Sequence, residues 1–128
     1  MVEERIEDGT RIAQLLASEL DGREDGGFAE MALAEADPDV DPTADGAFAY
    51  AVHFERAGED ERLAAVFVHP DRVRVEFVAS VERAADRASE AGLRVRPKAV
   101  DPPRTLVFVE SGAAVKRVAD VFEGLVGA

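Results

Sequence analysis

The chain has 128 residues, 47% hydrophobic and 33% charged, and its 27 carboxylates against 15 Lys and Arg give a formal charge of -12. That length predicts one domain over residues 1–128, and the apolar fraction is too high for a disordered polyelectrolyte. With no cysteine, disulfides, thiolate metal sites and cysteine nucleophiles are excluded together.

In chain order, "EERIEDGTRIAQLLASELDG" predicts a helix, because Ile6, Ala13, Leu16 and Leu20 recur at helical spacing and Ile12 and Leu15 widen the stripe. Gly9 weakens its first turns, so the start is expected near Asp8, with Gly22 as the C-terminal cap. "FAEMALAEA" and "GAFAYAVHFE" predict strands joined by the acidic loop "DPDVDPTADG". In the second of these, Ala47, Ala49 and Ala51 alternate with Phe48, Tyr50, Val52 and Phe54, predicting one small face and one aromatic face. "RLAAVFVHPDRVRVEFVA" predicts two strands around a tight turn at "HPDR", with Pro70 at its first central position. Ser80 is expected to cap a second helix, "VERAADRASEAG", whose apolar face is the thin set Val81, Ala84, Ala85 and Ala88. "LRVRPKAV" and "RTLVFVE" predict strands around "DPPR". Ser111 or Gly112 then opens a last helix that buries Val115, Val118, Val121, Phe122 and Leu125.

The order α-ββββ-α-ββ-α lacks the strand-helix alternation of a doubly wound parallel sheet. It predicts an α+β domain with an antiparallel sheet of about six strands and helices packed on one face. That order is similar to the two-layer shape of type III secretion chaperone-like and YbjN-like proteins with one extra strand. The resemblance is topological, spans the chain and carries no motif, so it transfers no function. The phrases "VFVHPDRVRVEFV" and "LRVRPKAVDPPRTLVFVE" also resemble small uncharacterised haloarchaeal acidic proteins.

The charge is unevenly placed: residues 1–69 hold 18 carboxylates and five arginines, whereas residues 70–128 hold nine acidic and ten basic groups. Thirteen of the 15 basic residues are arginine, a style similar to that of extreme halophiles, whose acidic surfaces stay hydrated where about 1 M salt shortens the Debye length to about 3 Å. On that reading the acidity reports habitat. The start "MVEERIEDG" lacks the apolar segment of a secretory signal, so a cytoplasmic protein is expected. Its longest apolar runs, "AFAYAV" and "LAAVFV", have six residues against the roughly 20 that cross a bilayer, so no membrane association is expected.

The basic residues of the second half give the best functional lead. Period-two alternation places Val73, Val75 and Phe77 opposite Arg72, Arg74 and Glu76, and Leu93, Val95 and Ala99 opposite Arg94, Arg96 and Lys98. Arg104 extends the row, so Arg72, Arg74, Arg94, Arg96, Lys98 and Arg104 form a candidate anion- or partner-binding face. A plain alternative is that these charges solvate an open sheet face and guard an edge strand, with Glu76 and Glu110 as ion partners. Nucleic acid is the less favoured ligand, because Phe77 and Phe108 are expected in the core, leaving no aromatics between the arginines, and because salt weakens phosphate binding.

Other chemistry is sparse. Asp37, Asp39, Asp41, Asp45 and Gly46 suggest a calcium loop, but Pro42 stands where such a loop needs glycine and no glutamate closes it. His53 and His69 lack the helical spacing that would bring them to one metal, and no P-loop, dinucleotide, nucleophile-elbow or zincin motif occurs. No cofactor, metal or catalytic residue is therefore assigned. The leading expectation is a non-catalytic binding or assembly module, forming a homodimer through the sheet or last helix or taking a protein partner. Nucleic-acid or anion binding is the alternative, and an enzyme of unknown class is a third.

Overall fold

The computed structural model describes residues 8–22, 31–37, 39–56 and 58–126. Among them the element order is the expected one. Helix α1 (Gly9–Gly22) is followed by strands β1 (Met31–Ala34), β2 (Ala47–Arg56), β3 (Glu59–Val68) and β4 (Val73–Phe77). Helix α2 (Val81–Glu90), strands β5 (Arg94–Lys98) and β6 (Arg104–Val109), a 3-10 turn at Gly112–Ala114 and helix α3 (Val115–Val126) complete it. The strands form one antiparallel six-stranded sheet in the order β1-β2-β3-β4-β6-β5. The hairpin β5–β6 is thus docked onto β4 by its second strand, and β5 becomes an edge.

One apolar cluster joins the three helices to a single face of the sheet. Ile12, Leu16, Val66, Val68, Val73, Val75, Phe77, Val107, Val109, Val118 and Phe122 are fully buried in it. The stripe expected on α3 lies there complete, and the Phe77 and Phe122 rings meet at 4.9 Å between centroids. In α2 the fully buried positions are Ala84 and Ala88, so the small side chains let this helix lie close to α3 and the β5–β6 hairpin. Tyr50 sends its hydroxyl from the sheet into α1, donating to the Ala13 carbonyl at 2.9 Å. Burial of that phenol raises its pKa.

Local details differ from the expectations. Asp8 does open α1, accepting the Arg11 amide on its side chain at 3.2 Å, whereas Ile6 lies outside the described residues. Gly22 is the last residue of the helix itself. Residues 28–30 of the first expected strand also lie outside the described residues, and β3 begins three residues earlier than expected, at Glu59. Ser80 does precede α2, but at φ 52° and ψ 43° it makes no side-chain cap; its carbonyl accepts the Ala84 amide at 2.9 Å instead. An N-cap needs an extended backbone to aim its hydroxyl at the first free amides, and the left-handed conformation removes that aim. Ser111 likewise makes no side-chain cap to the turn it precedes.

The expected aromatic face of β2 is split. Phe48 pairs with Phe67 and Tyr50 pairs with Val66, so Ala49 is an extra residue with no partner of its own. Directly opposed residues share a face, so this bulge sends Phe48 to one side of the sheet and Tyr50, Val52 and Phe54 to the other. A second irregularity at Leu63 of β3 lets His53 pair with Arg62 and Phe54 with Glu61.

Candidate functional site on the uncovered sheet face

Registers across five strands place Arg94, Phe108, Arg74, Phe67 and Phe48 in one continuous row on the face opposite the helices. The next row runs Arg96, Leu106, Glu76, Ala65, Ala51 and Ala34 across all six. Lys98 pairs with Arg104 beyond that. Arg72, just before β4, holds its guanidinium 5.7 Å from the Phe108 ring centre, which sets it on the same side. All six basic residues singled out from the sequence therefore border one surface.

They are not equivalent. Glu76 is 3% exposed although no described helix covers it. Its carboxylate accepts from Arg74 Nε at 2.8 Å and from an Arg104 Nη at 2.9 Å, so both guanidiniums are committed within the face. Burial alone pushes the Glu76 pKa up, but the Arg104 and Arg74 hydrogen bonds and charges outweigh it and hold the group below its ordinary value. Arg72 contacts Asp71 at 3.3 Å. On the edge strand, Arg94 reaches Glu110 only at 3.8 Å with both side chains well exposed, and Arg96 and Lys98 are exposed as well. Beside the hairpin turn, Arg104 Nε is buried without a hydrogen-bond partner.

Phe108 does not sit in the helix-side core, contrary to the expectation, whereas Phe77 does. Its register opposite Arg74 fixes it on the arginine side, because β6 alternates and Val107 and Val109 already take the core positions. Aromatics therefore do interleave the cations. Arg74 lies over Phe67 at 4.5 Å and Arg62 over Phe48 at 5.9 Å, while the Phe48 and Phe67 rings meet edge to face at 5.9 Å. Sequence reasoning missed Phe48, Phe67 and Arg62. For Phe67 the signal was present, since Ala65 and Phe67 alternate with Ala64, Val66 and Val68; for Phe48 the bulge concealed it.

The far side of this face is acidic. Glu35, at φ 57° after β1, accepts two hydrogen bonds from Arg62 at 3.0 and 3.1 Å and lies 3.5 Å from His53 Nε2. The Arg62 hydrogen bond holds the Glu35 pKa below its ordinary value. His53 Nδ1 meets Asp60 at 2.8 Å, and Asp60 pairs in register with Glu55. Charge thus runs from negative at the β2–β3 turn and β1 to positive at β5.

His69 belongs to the other end of β3. Its Nδ1 donates to the Ala44 carbonyl at 3.0 Å, because a carbonyl only accepts, which leaves Nε2 to accept from an Arg74 Nη at 3.0 Å. Burial, helped by the charges of Arg72 and Arg74, lowers its pKa. Seven residues of extended chain, roughly 23 Å, separate it from the level of His53, so the two imidazoles do not share a site. Among the described residues no cluster of three His, Asp or Glu converges as a metal site. In the acidic loop, the Asp37 carboxylate turns back to accept the Asp39 amide at 3.0 Å.

Among the described residues several surface hollows lie on the helix side, and two of them have walls built mainly from apolar side chains. One, of about 240 Å³, is lined mainly by Ala13, Ala17, Val40, Ala49 and Tyr50. The other, of about 380 Å³, lies between α2 and the β5–β6 turn, with Pro97, Lys98, Pro103 and Arg104 in its wall. No described helix is long and apolar enough to cross a membrane. Comparisons with curated proteins and with solved structures find no match. A family model matches residues 1–128 without a break, and the chain belongs to that family, the family of unknown function DUF7993.

Proposed function

We propose that the protein is a non-catalytic binding or assembly module that engages a macromolecular partner through the uncovered face of its sheet. The observation that supports this most is the row of Phe48, Phe67 and Phe108 on the side that no described helix covers. An antiparallel sheet that simply faces water carries polar side chains there. Here three half-buried rings and buried Ala51, Ala65 and Leu106 make the middle of the face largely apolar around the internally paired Arg74 and Glu76, and the exposed charges stand at its margin. A central apolar patch inside a polar rim is the anatomy of a protein interface. Mild cross-linking in native cells should trap the chain in a stoichiometric complex that Phe67→Asp abolishes. An uncomplexed wild-type chain rejects the proposal.

A second reading, anion or nucleic-acid binding, draws on the edge strand, where Arg94, Arg96 and Lys98 stand exposed beside Phe108. Arginine pairs two parallel donors with phosphate, and nearby rings can stack on bases. RNA affinity measured at several salt concentrations should fall when Arg94 and Arg96 become alanine. Affinity unchanged by the double substitution removes this reading.

A further inference from the structure

We infer that the occupant of the uncovered face is a second copy of the same chain, stacked face to face about a twofold axis that runs along the strands between β3 and β4. This inference rests on the assembly reading above and names its partner. The sheet order has six members, so its midline falls between β3 and β4. Rotation about an axis along that midline turns the face over, keeps each row on itself and reverses the strand order. Each strand then lies over its counterpart from the other margin: β5 over β1, β6 over β2, and β4 over β3.

The side chains are self-complementary under that operation. In the aromatic row, Phe108 on β6 comes over Phe48 on β2 of the other copy, and Arg74 on β4 comes over Phe67 on β3. Arg74 already lies 4.5 Å from its own Phe67 ring, so each guanidinium is held between two rings. In the second row, the long Arg96 comes over Ala34, a small residue at the opposite margin, and Lys98 lies at the level of Ala32. The exposed cations of β5 thereby meet the side that holds Glu35, Glu55 and Asp60. Size, aromaticity and charge all match in the same orientation. The other in-plane axis, across the strands, sets β5 on β5 and brings like charges together, which disfavours it. A closed isologous pair also covers both copies' rings at once and leaves no second docking face.

The test is sedimentation and light scattering of the purified chain in molar KCl, followed by thiol cross-linking. Expected is twice the chain mass of 13.7 kDa, returning to the monomer mass in Phe108→Asp, whose circular dichroism reports whether it remains folded. Because the chain has no cysteine, introduced thiols are unique. A bismaleimide spanning the ~10 Å between stacked sheets should join chains carrying both Arg96→Cys and Ala34→Cys, and neither single variant. Cross-linking of Arg96→Cys with itself overturns the inference, since it requires the other axis. A monomer in molar KCl overturns it too. If that monomer still enters the Phe67-dependent complex in cells, the assembly reading survives with a different partner; if the complex is also missing, both fall.

Discussion

Glu76 shows how one side chain organises a whole face. It is a buried carboxylate between two arginines, and charged hydrogen bonds of this kind are worth about 1.5–3 kcal/mol each. Glu76→Gln keeps the shape but removes the charge, leaving Arg74 and Arg104 poorly matched. We expect urea unfolding to show a loss of about 2–4 kcal/mol, in the range for breaking a buried charged network. The Glu76 contribution is complete above the unfolded carboxyl value of about 4.3 and is lost as pH falls through its lower folded value. His69 acts earlier in an acid titration. Its folded pKa is depressed, so below the unfolded value of about 6.5 the unfolded chain binds the extra proton. Stability should therefore be full above about pH 6.5 and decline as pH falls below it, a slope that His69→Asn should flatten in urea titrations at successive pH values.

At the level of elements, the ends of α2 and the close approach at α1 separate what residue type suggests from what the backbone allows. Ser80 has the composition of a cap and none of its hydrogen bonding, so Ser80→Ala should change the thermal midpoint little, within about 0.5 kcal/mol. A true cap would cost about 1 kcal/mol. By residue type Gly9 only weakens the start of a helix, yet its place has a tertiary cause. A β-carbon there would collide with the His69 carbonyl, and its amide donates to the Pro70 carbonyl at 3.1 Å. Nothing in the local pattern "DGTR" announces a contact with a turn some 60 residues away. Helix stripes and strand alternation were legible because they repeat within one segment. Face assignments in β2 were not, because a bulge resets the alternation and is specified by the partner strand. Phe108 was misplaced for a related reason: "LVFV" reads apolar on both sides, and only register with Arg74 tells which side holds the helices.

Across the whole molecule, the uneven charge has an energetic consequence. Residues 1–69 carry 18 carboxylates and five arginines, and the acidic groups of the β2–β3 hairpin crowd one margin of the sheet. Self-repulsion of this kind destabilises a compact state and is relieved by screening. We expect the thermal midpoint to rise steadily with KCl, and to rise less in Glu55→Gln/Asp60→Asn, where the crowding is thinned; a midpoint indifferent to salt contradicts the account. The sequence exposed the asymmetry between its halves, and the sheet order turns it into a gradient across one surface. That gradient depends on β5 reaching the outer margin, which follows from β6 taking the place beside β4.

The bulge in β2 has a further effect. Where a strand gains one residue, everything on its upstream side would ordinarily be transposed between the two surfaces; here Ala49 absorbs the surplus, and its carbonyl accepts the Asp37 amide at 2.8 Å. A shortened relative missing that alanine would thread the same ladder, with Phe48 still turned outward and Tyr50 inward. What it would forfeit is one tie on the aspartate-rich segment, that of the Asp37 amide, while the bonds at Thr43, Ala44 and Asp45 remain, so a single codon tunes how firmly one end of that segment is held and leaves the sheet itself untouched.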